Sequence, residues 1–128
     1  MEFTVGLKGE ATVMADSSNT ASVMGSGSLE VFATPSMIAL MEKAATNALK
    51  DTMPEDSSSV GTLINIKHTA ATPTGLKVTA RAELIEVDGK RLVFAVEAFD
   101  DKDKIGEGLH ERFIINVDRF MSKTNSKR

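Results

Sequence analysis

The pattern of apolar residues predicts an α+β fold in which one amphipathic helix packs against an antiparallel sheet. Three observations lead there. A single segment with helical periodicity occupies residues 35–51, segments alternating with period two follow it, and Asp88-Gly89 is a strong hairpin signal between two of them. Hairpin-linked strands form antiparallel sheets, and a lone amphipathic helix has to cover the sheet's apolar face.

Each element has its own residues. The first fifteen alternate, with Phe3, Val5, Leu7, Ala11 and Val13 apolar, and read as a strand or hairpin arm with Gly9 as a bulge or turn. Residues 16–28, DSSNTASVMGSGS, are rich in Ser, Gly and Asn and read as a long loop, a kind of segment that often carries function. Thr34 suits an N-cap and Pro35 the first helical position, opening PSMIALMEKAATNALKD. With Ile38 as reference, Met41, Ala45 and Leu49 fall within about 60° of it, while Lys43, Asn47 and Lys50 lie on the other side. From there on the pattern is sheet. Ile64, Ile66 and His68 share one strand face. Thr72-Pro73-Thr74-Gly75 turns into a strand with Leu76, Val78, Ala80, Ala82 and Leu84, and Asp88-Gly89 joins it to Leu92, Phe94, Val96 and Ala98. After a polar turn at 100–104, the last strand carries Leu109, Phe113, Ile115 and Val117 on one face. Gly106, Gly108, His110 and Arg112 occupy the other. A chain of 128 residues fits one domain, expected over 1–121, with 122–128 as a flexible basic tail.

Composition narrows the function. The net charge of −3 gives no basic footprint for nucleic acid, and Trp and Tyr are absent. No apolar run reaches the roughly 18 to 20 residues of a membrane helix. The opening MEFTVGLKGE is acidic and alternating instead of basic then apolar, so a cytoplasmic location is expected. Zero Cys excludes disulfides, Cys-ligated metals and thiol catalysis, and two His make a His-rich metal site unexpected.

Few residues are left to carry chemistry. Thr34, beyond capping, places a hydroxyl where a helix N-terminus gathers free amides suited to an oxyanion, although Pro35 removes one of them. Glu42 lies at the margin of the apolar stripe, where partial desolvation would raise a carboxylate toward the range of a base. His68 is the natural proton carrier. His110 and Arg112 face the same side of a strand that begins with two glycines, which mark a bulge or a close backbone approach. Each has a plainer reading as cap, edge residue, core histidine or structural cation. Thr34 and Glu42 are also roughly 12 Å apart along the helix axis, so they do not bond directly.

These residues carry a resemblance. Through VFATPSMIALMEKAA, SVGT, HTAATPTG, AELIEVDGKRLVF and GEGLHER, the chain resembles the fluoroacetyl-CoA thioesterase-like family of hotdog-fold proteins. The resemblance implies a long helix wrapped by an antiparallel sheet, a homodimer with sites near the subunit interface, and acyl-CoA hydrolysis by a Thr, a Glu and a His. By motif match these are Thr34, Glu42 and His68, with Gly61, Thr62 and Arg112 as supporting substrate-binding residues. The family's fluoroacetyl-specific form has a Phe-rich lid before the Ala-Thr pair and Gly-Phe after it. Here MGSGSLEV contains no aromatic residue before Phe32, and Pro35-Ser36 follows Thr34, which points away from fluoroacetyl-CoA.

The expected reaction is hydrolysis of a short or medium acyl-CoA to a carboxylate and free CoA, with no metal and no cofactor beyond the CoA of the substrate. An enoyl-CoA hydratase and a non-catalytic acyl-CoA binder are the alternatives for the same pocket. Thiol release separates them.

Overall fold

The computed structural model describes residues 2–128. In chain order it contains β1 (Lys8–Met14), α1 (Ala21–Met24), α2 (Thr34–Leu49), β2 (Ser57–His68), β3 (Lys77–Asp88), β4 (Arg91–Phe99), β5 (Lys104–Asn116) and α3 (Val117–Asn125). The strands form one antiparallel sheet in the order β1-β3-β4-β5-β2, curled around α2, which packs chiefly on β1 and β3. Among the described residues no helix is long and apolar enough to cross a membrane.

The core follows from alternation. Val78, Ala80, Ala82 and Leu84 of β3, with Leu92, Phe94, Val96 and Ala98 of β4, all turn inward and are buried. From α2 they meet Met37, Leu40, Met41, Ala44, Ala45, Ala48 and Leu49. That stripe is centred on Met41 and Ala48, so Ile38 sits at its margin and not in the middle. Small residues bring helix and sheet together. Gly9, expected as a bulge or turn, lies mid-strand in regular register with Ala82. A Cβ there would overlap the backbone of Ala44 and Ala48, so glycine permits the close approach of α2.

Local chemistry explains the other departures. The Ser/Gly-rich segment contains the short helix α1, capped by the Thr20 hydroxyl and closed by Gly25 in the left-handed region. Thr20 is buried and bridges to Phe32, tying this segment to the start of α2. The β3–β4 loop consists of Gly89 and Lys90, with Asp88 paired to Arg91. Gly89 alone of the two has positive φ, 62°, the pattern of a type II′ turn. The last strand stops at Asn116, whose side chain accepts from the Arg119 amide and starts α3, so Val117 is helical and not part of the strand. Helix α3 also takes in residues 122–125 of the segment expected as a tail.

Two features position the site. Of the two faces of β5, the Gly106–Gly108–His110–Arg112 row turns inward, while Leu109 and Phe113 lie about 41% exposed. Gly106 faces α2, where a Cβ would lie 2.6 Å from Met37 Sδ. At the sheet's edge, β2 has no outer neighbour. Its inward Ile64 stays about 40% exposed because α2 packs on the β1 and β3 end of that face, away from β2.

Candidate active site

The first turn of α2 supplies one half of the site. Ala33, in extended conformation, is the N-cap and contributes no side-chain bond. Thr34 is therefore not the cap expected from the sequence but the first helical residue, with Pro35 second. Its hydroxyl is committed elsewhere: Thr34 Oγ1 lies 2.7 Å from His68 Nδ1. His68 ends β2 opposite Gly106, and the next residue is held by a 2.7 Å bond from the Thr69 amide to the Ile105 carbonyl. Burial pulls the His68 imidazole below its ordinary value of 6.5, with the Ala70 backbone opposing. The ring is thus neutral at pH 7 and able to take a proton from the hydroxyl. Its Nε2 is buried without a hydrogen-bond partner among the described residues. The pair opens into a depression of about 310 Å³ lined by Val31, Phe32, Ala70 and Ala71.

The second half lies two turns along the helix. Glu42 is half-buried at the stripe's margin, and its Oε2 accepts from Arg112 Nη1 at 3.3 Å. It makes no hydrogen bond to Thr34 or His68, as the helical spacing predicts. Arg112 is 6% exposed and spends its other donors on one residue: Nε donates to Ser59 Oγ at 2.8 Å and Nη2 to the Ser59 carbonyl at 2.9 Å. Its Nη1 also meets His110 Nε2 at 3.1 Å.

His110 is completely buried, its ring stacked on Phe94 at 6.3 Å between centroids. Its Nδ1 lies 2.9 Å from the Leu63 carbonyl. A carbonyl only accepts and a guanidinium only donates, so Nδ1 carries the proton and Nε2 accepts from Arg112. Burial, helped by the Arg112 charge, holds His110 below its ordinary value, against opposing contributions from the Leu63 carbonyl, Glu42 and Glu111. Burial likewise lowers Arg112, with Glu42 opposing.

Gly61 and Thr62 frame this cluster. A Cβ on Gly61 would lie 2.5 Å from Glu42 Oε2 and 3.2 Å from His110 Cε1, so glycine gives the carboxylate its room. Thr62 is the extra residue of a β-bulge between Gly61 and Leu63. It is exposed, and its hydroxyl donates to the Glu111 carbonyl at 3.3 Å. The structure therefore brings Thr34 to His68, and Glu42 to Arg112 and Gly61, as two separate groups within one protomer. Sequence reasoning missed Ser59 as the clamp on Arg112. The shared strand face of His110 and Arg112 was the available signal for their contact.

A long helix wrapped by a curled five-stranded antiparallel sheet defines a hotdog fold. The model of the fluoroacetyl-CoA-specific thioesterase family matches residues 15–118, and the chain belongs to that family, which makes it a thioester hydrolase. The fluoroacetyl-CoA thioesterase of Streptantibioticus cattleyicolor is 47% identical over 98 residues, 77% of this chain and 70% of that one. A solved structure of a fluoroacetyl-CoA thioesterase superposes with a TM-score of 0.92 at 36% identity, covering 100% of this chain and 99% of the other. A hot-dog-like protein from Thermanaerovibrio acidaminovorans has a TM-score of 0.88 at 25% identity, covering 98% and 93%. A Thr-to-Ser variant of the fluoroacetyl-CoA enzyme, in complex with acetyl-CoA, gives 0.91 at 37% identity and 98% coverage of both chains.

Proposed function

We propose that this protein hydrolyses a short or medium acyl-CoA to a carboxylate and free CoA, using Thr34 and His68 as the reacting pair. The 2.7 Å contact between Oγ1 and Nδ1 carries this reading. In the nucleophilic form of the reaction, Thr34 Oγ1 attacks the thioester carbonyl as its proton passes to His68 Nδ1. The C–S bond then breaks and the CoA thiolate takes that proton. Water, deprotonated by the same ring, cleaves the acyl-Thr ester and restores the hydroxyl. In the alternative form, Thr34 orients a water that His68 deprotonates, and no ester forms. Both use the positive end of α2 for the developing oxyanion, with the Thr34 and Ser36 amides as its first donors and none from Pro35.

Glu42 enters through its pairing with Arg112, a fixed carboxylate and cation that, with Gly61 and Thr62, are assigned to binding the substrate. It does not orient His68 within its own protomer. A homodimer supports the complete site: β2 is a twelve-residue edge strand without an outer neighbour, and Leu63 and Ile64 on it are about 42% and 40% exposed. The reaction as proposed needs no metal or further cofactor, and its CoA substrate suits a cytoplasmic enzyme. The non-aromatic MGSGSLEV segment supports acyl groups other than fluoroacetyl.

Thiol release, followed with a chromogenic disulfide across acetyl- to palmitoyl-CoA, aryl-CoA and fluoroacetyl-CoA, tests the reading. The chain has no Cys, so it adds no background. Turnover of short or medium chains that is lost in Thr34→Ala and His68→Ala is the expected result. Tight binding without thiol release on any member overturns it.

A further inference from the structure

We propose that His110 is a positioning residue for the reaction, acting through Arg112 to fix the Glu42 carboxylate. The proposal deepens the reading above and rests on Glu42 and Arg112 belonging to the site.

The geometry is a relay of fixed parts. Phe94 stacks on the His110 ring, and the Leu63 carbonyl accepts a hydrogen bond from Nδ1–H, which sets both the ring's plane and its tautomer. Nε2 is then a buried acceptor pointing at Arg112 Nη1, 3.1 Å away. Ser59 holds Nε and Nη2 of the same guanidinium. With three points fixed, Nη1 has one direction left to offer, and Glu42 Oε2 lies on it at 3.3 Å. His110 Nε2 is itself 3.9 Å from that oxygen, too far for a hydrogen bond. Two acceptors thus share the Nη1 group; with the His110 acceptor removed only Ser59 holds the guanidinium, and its Nη1 end is no longer pinned toward Glu42. His110 touches neither Thr34 nor His68, so its action is indirect. Gly61 completes the arrangement by leaving the space into which both Glu42 and His110 project.

The test splits the two ends of the imidazole. His110→Asn keeps a donor for the Leu63 carbonyl and deletes the acceptor for Arg112. His110→Gln carries its amide oxygen to the acceptor end and gives up the Leu63 bond. Thiol release with the holoprotein is expected to show kcat/KM about 10- to 100-fold lower in H110N, the scale of a reacting group misplaced from a distance, with H110Q recovering most of it. H110N combined with R112A is expected to be no worse than R112A alone. Losses of equal size in H110N and H110Q, or additivity with R112A, identify a merely structural residue and overturn the proposal. So does full activity in H110N while E42Q and R112A are impaired. Full activity in both E42Q and R112A instead removes the underlying reading, and the proposal falls with it. Long-range nitrogen NMR on the unmutated protein at pH 7 gives an independent check that does not depend on variant folding. A neutral ring protonated at Nδ1 is expected; a proton on Nε2 overturns the relay.

Discussion

The Thr34–His68 pair and the Glu42–Arg112–His110 cluster sit on the same helix and the same face of the sheet, but they are built oppositely. Thr34 is exposed, His68 half-buried, and its Nε2 has no hydrogen-bond partner among the described residues. In the cluster, Arg112 meets Ser59, His110 and Glu42, and both nitrogens of His110 are occupied. A buried polar network that is fully satisfied gains rigidity, whereas a reacting pair has to keep capacity in reserve for substrate. The difference matches the proposed division between groups that react and groups that hold.

That contrast can be broken by experiment. The largest effect is expected from His68→Ala, with kcat/KM lower by about 10² to 10⁴ and little change in the urea midpoint, since the ring makes one side-chain bond. Loss of folding without a kinetic effect in the folded fraction reverses the assignment. Arg112→Ala is expected to behave the other way in denaturation. It leaves Ser59, His110 and half-buried Glu42 without their donor and costs about 2–4 kcal/mol of unfolding free energy, the discounted scale of a broken buried pair. A urea series reads that loss directly.

Gly61→Ala sharpens the comparison further. Its Cβ meets chiefly the end of the Glu42 carboxylate at 2.5 Å, with the His110 ring at 3.2 Å needing to give by only a few tenths of an ångström, so the chain is expected to fold with a melting temperature within a few degrees of the parent. Glu42 is nonetheless displaced, and turnover is expected to fall about tenfold. Unchanged kinetics would show that the carboxylate's position does not matter. The smallest effects are in pH. Both imidazoles lie below 6.5 in the folded chain, so the unfolded chain binds more protons as pH drops below 6.5. Stability therefore declines from that point until the folded values are passed. A thermal melt series from pH 7.5 to 5 should show the decline, smaller in H110Q. With His68 as the proposed neutral base, the acid limb of kcat/KM should have its midpoint below 6.5.

Much of this was legible in the residues. The alternating rows of β3 and β4, the Gly89 turn and the existence of α2 follow from period and turn chemistry alone. So did the roughly 12 Å spacing that keeps Glu42 from Thr34. The cap was misread because Thr and Pro at a helix start satisfy the capping preference whether or not the hydroxyl is free, and here His68 claims it. Gly9 was misread because a glycine in a strand pattern signals a bulge and a close approach equally; α2 makes it the second. Short helices α1 and α3 carry too few periodic residues to stand out from loop and strand, though Thr20 and Asn116 are ordinary caps once the backbone is known.

The sequence by itself determined the segments, the family motifs and the residues able to carry a proton or a charge, because these depend on local spacing and side-chain chemistry. Only the tertiary structure decided which face of β5 turns inward. Apolar alternation would bury Leu109 and Phe113, but Met37 fills the space beside Gly106 and leaves no room for a side chain there. Glycine occupies that row, and two positions on each time come Gly108, His110 and Arg112. A period of two fixes which residues go together and not which way they face, so packing against α2 is what delivers a buried imidazole and guanidinium to Glu42.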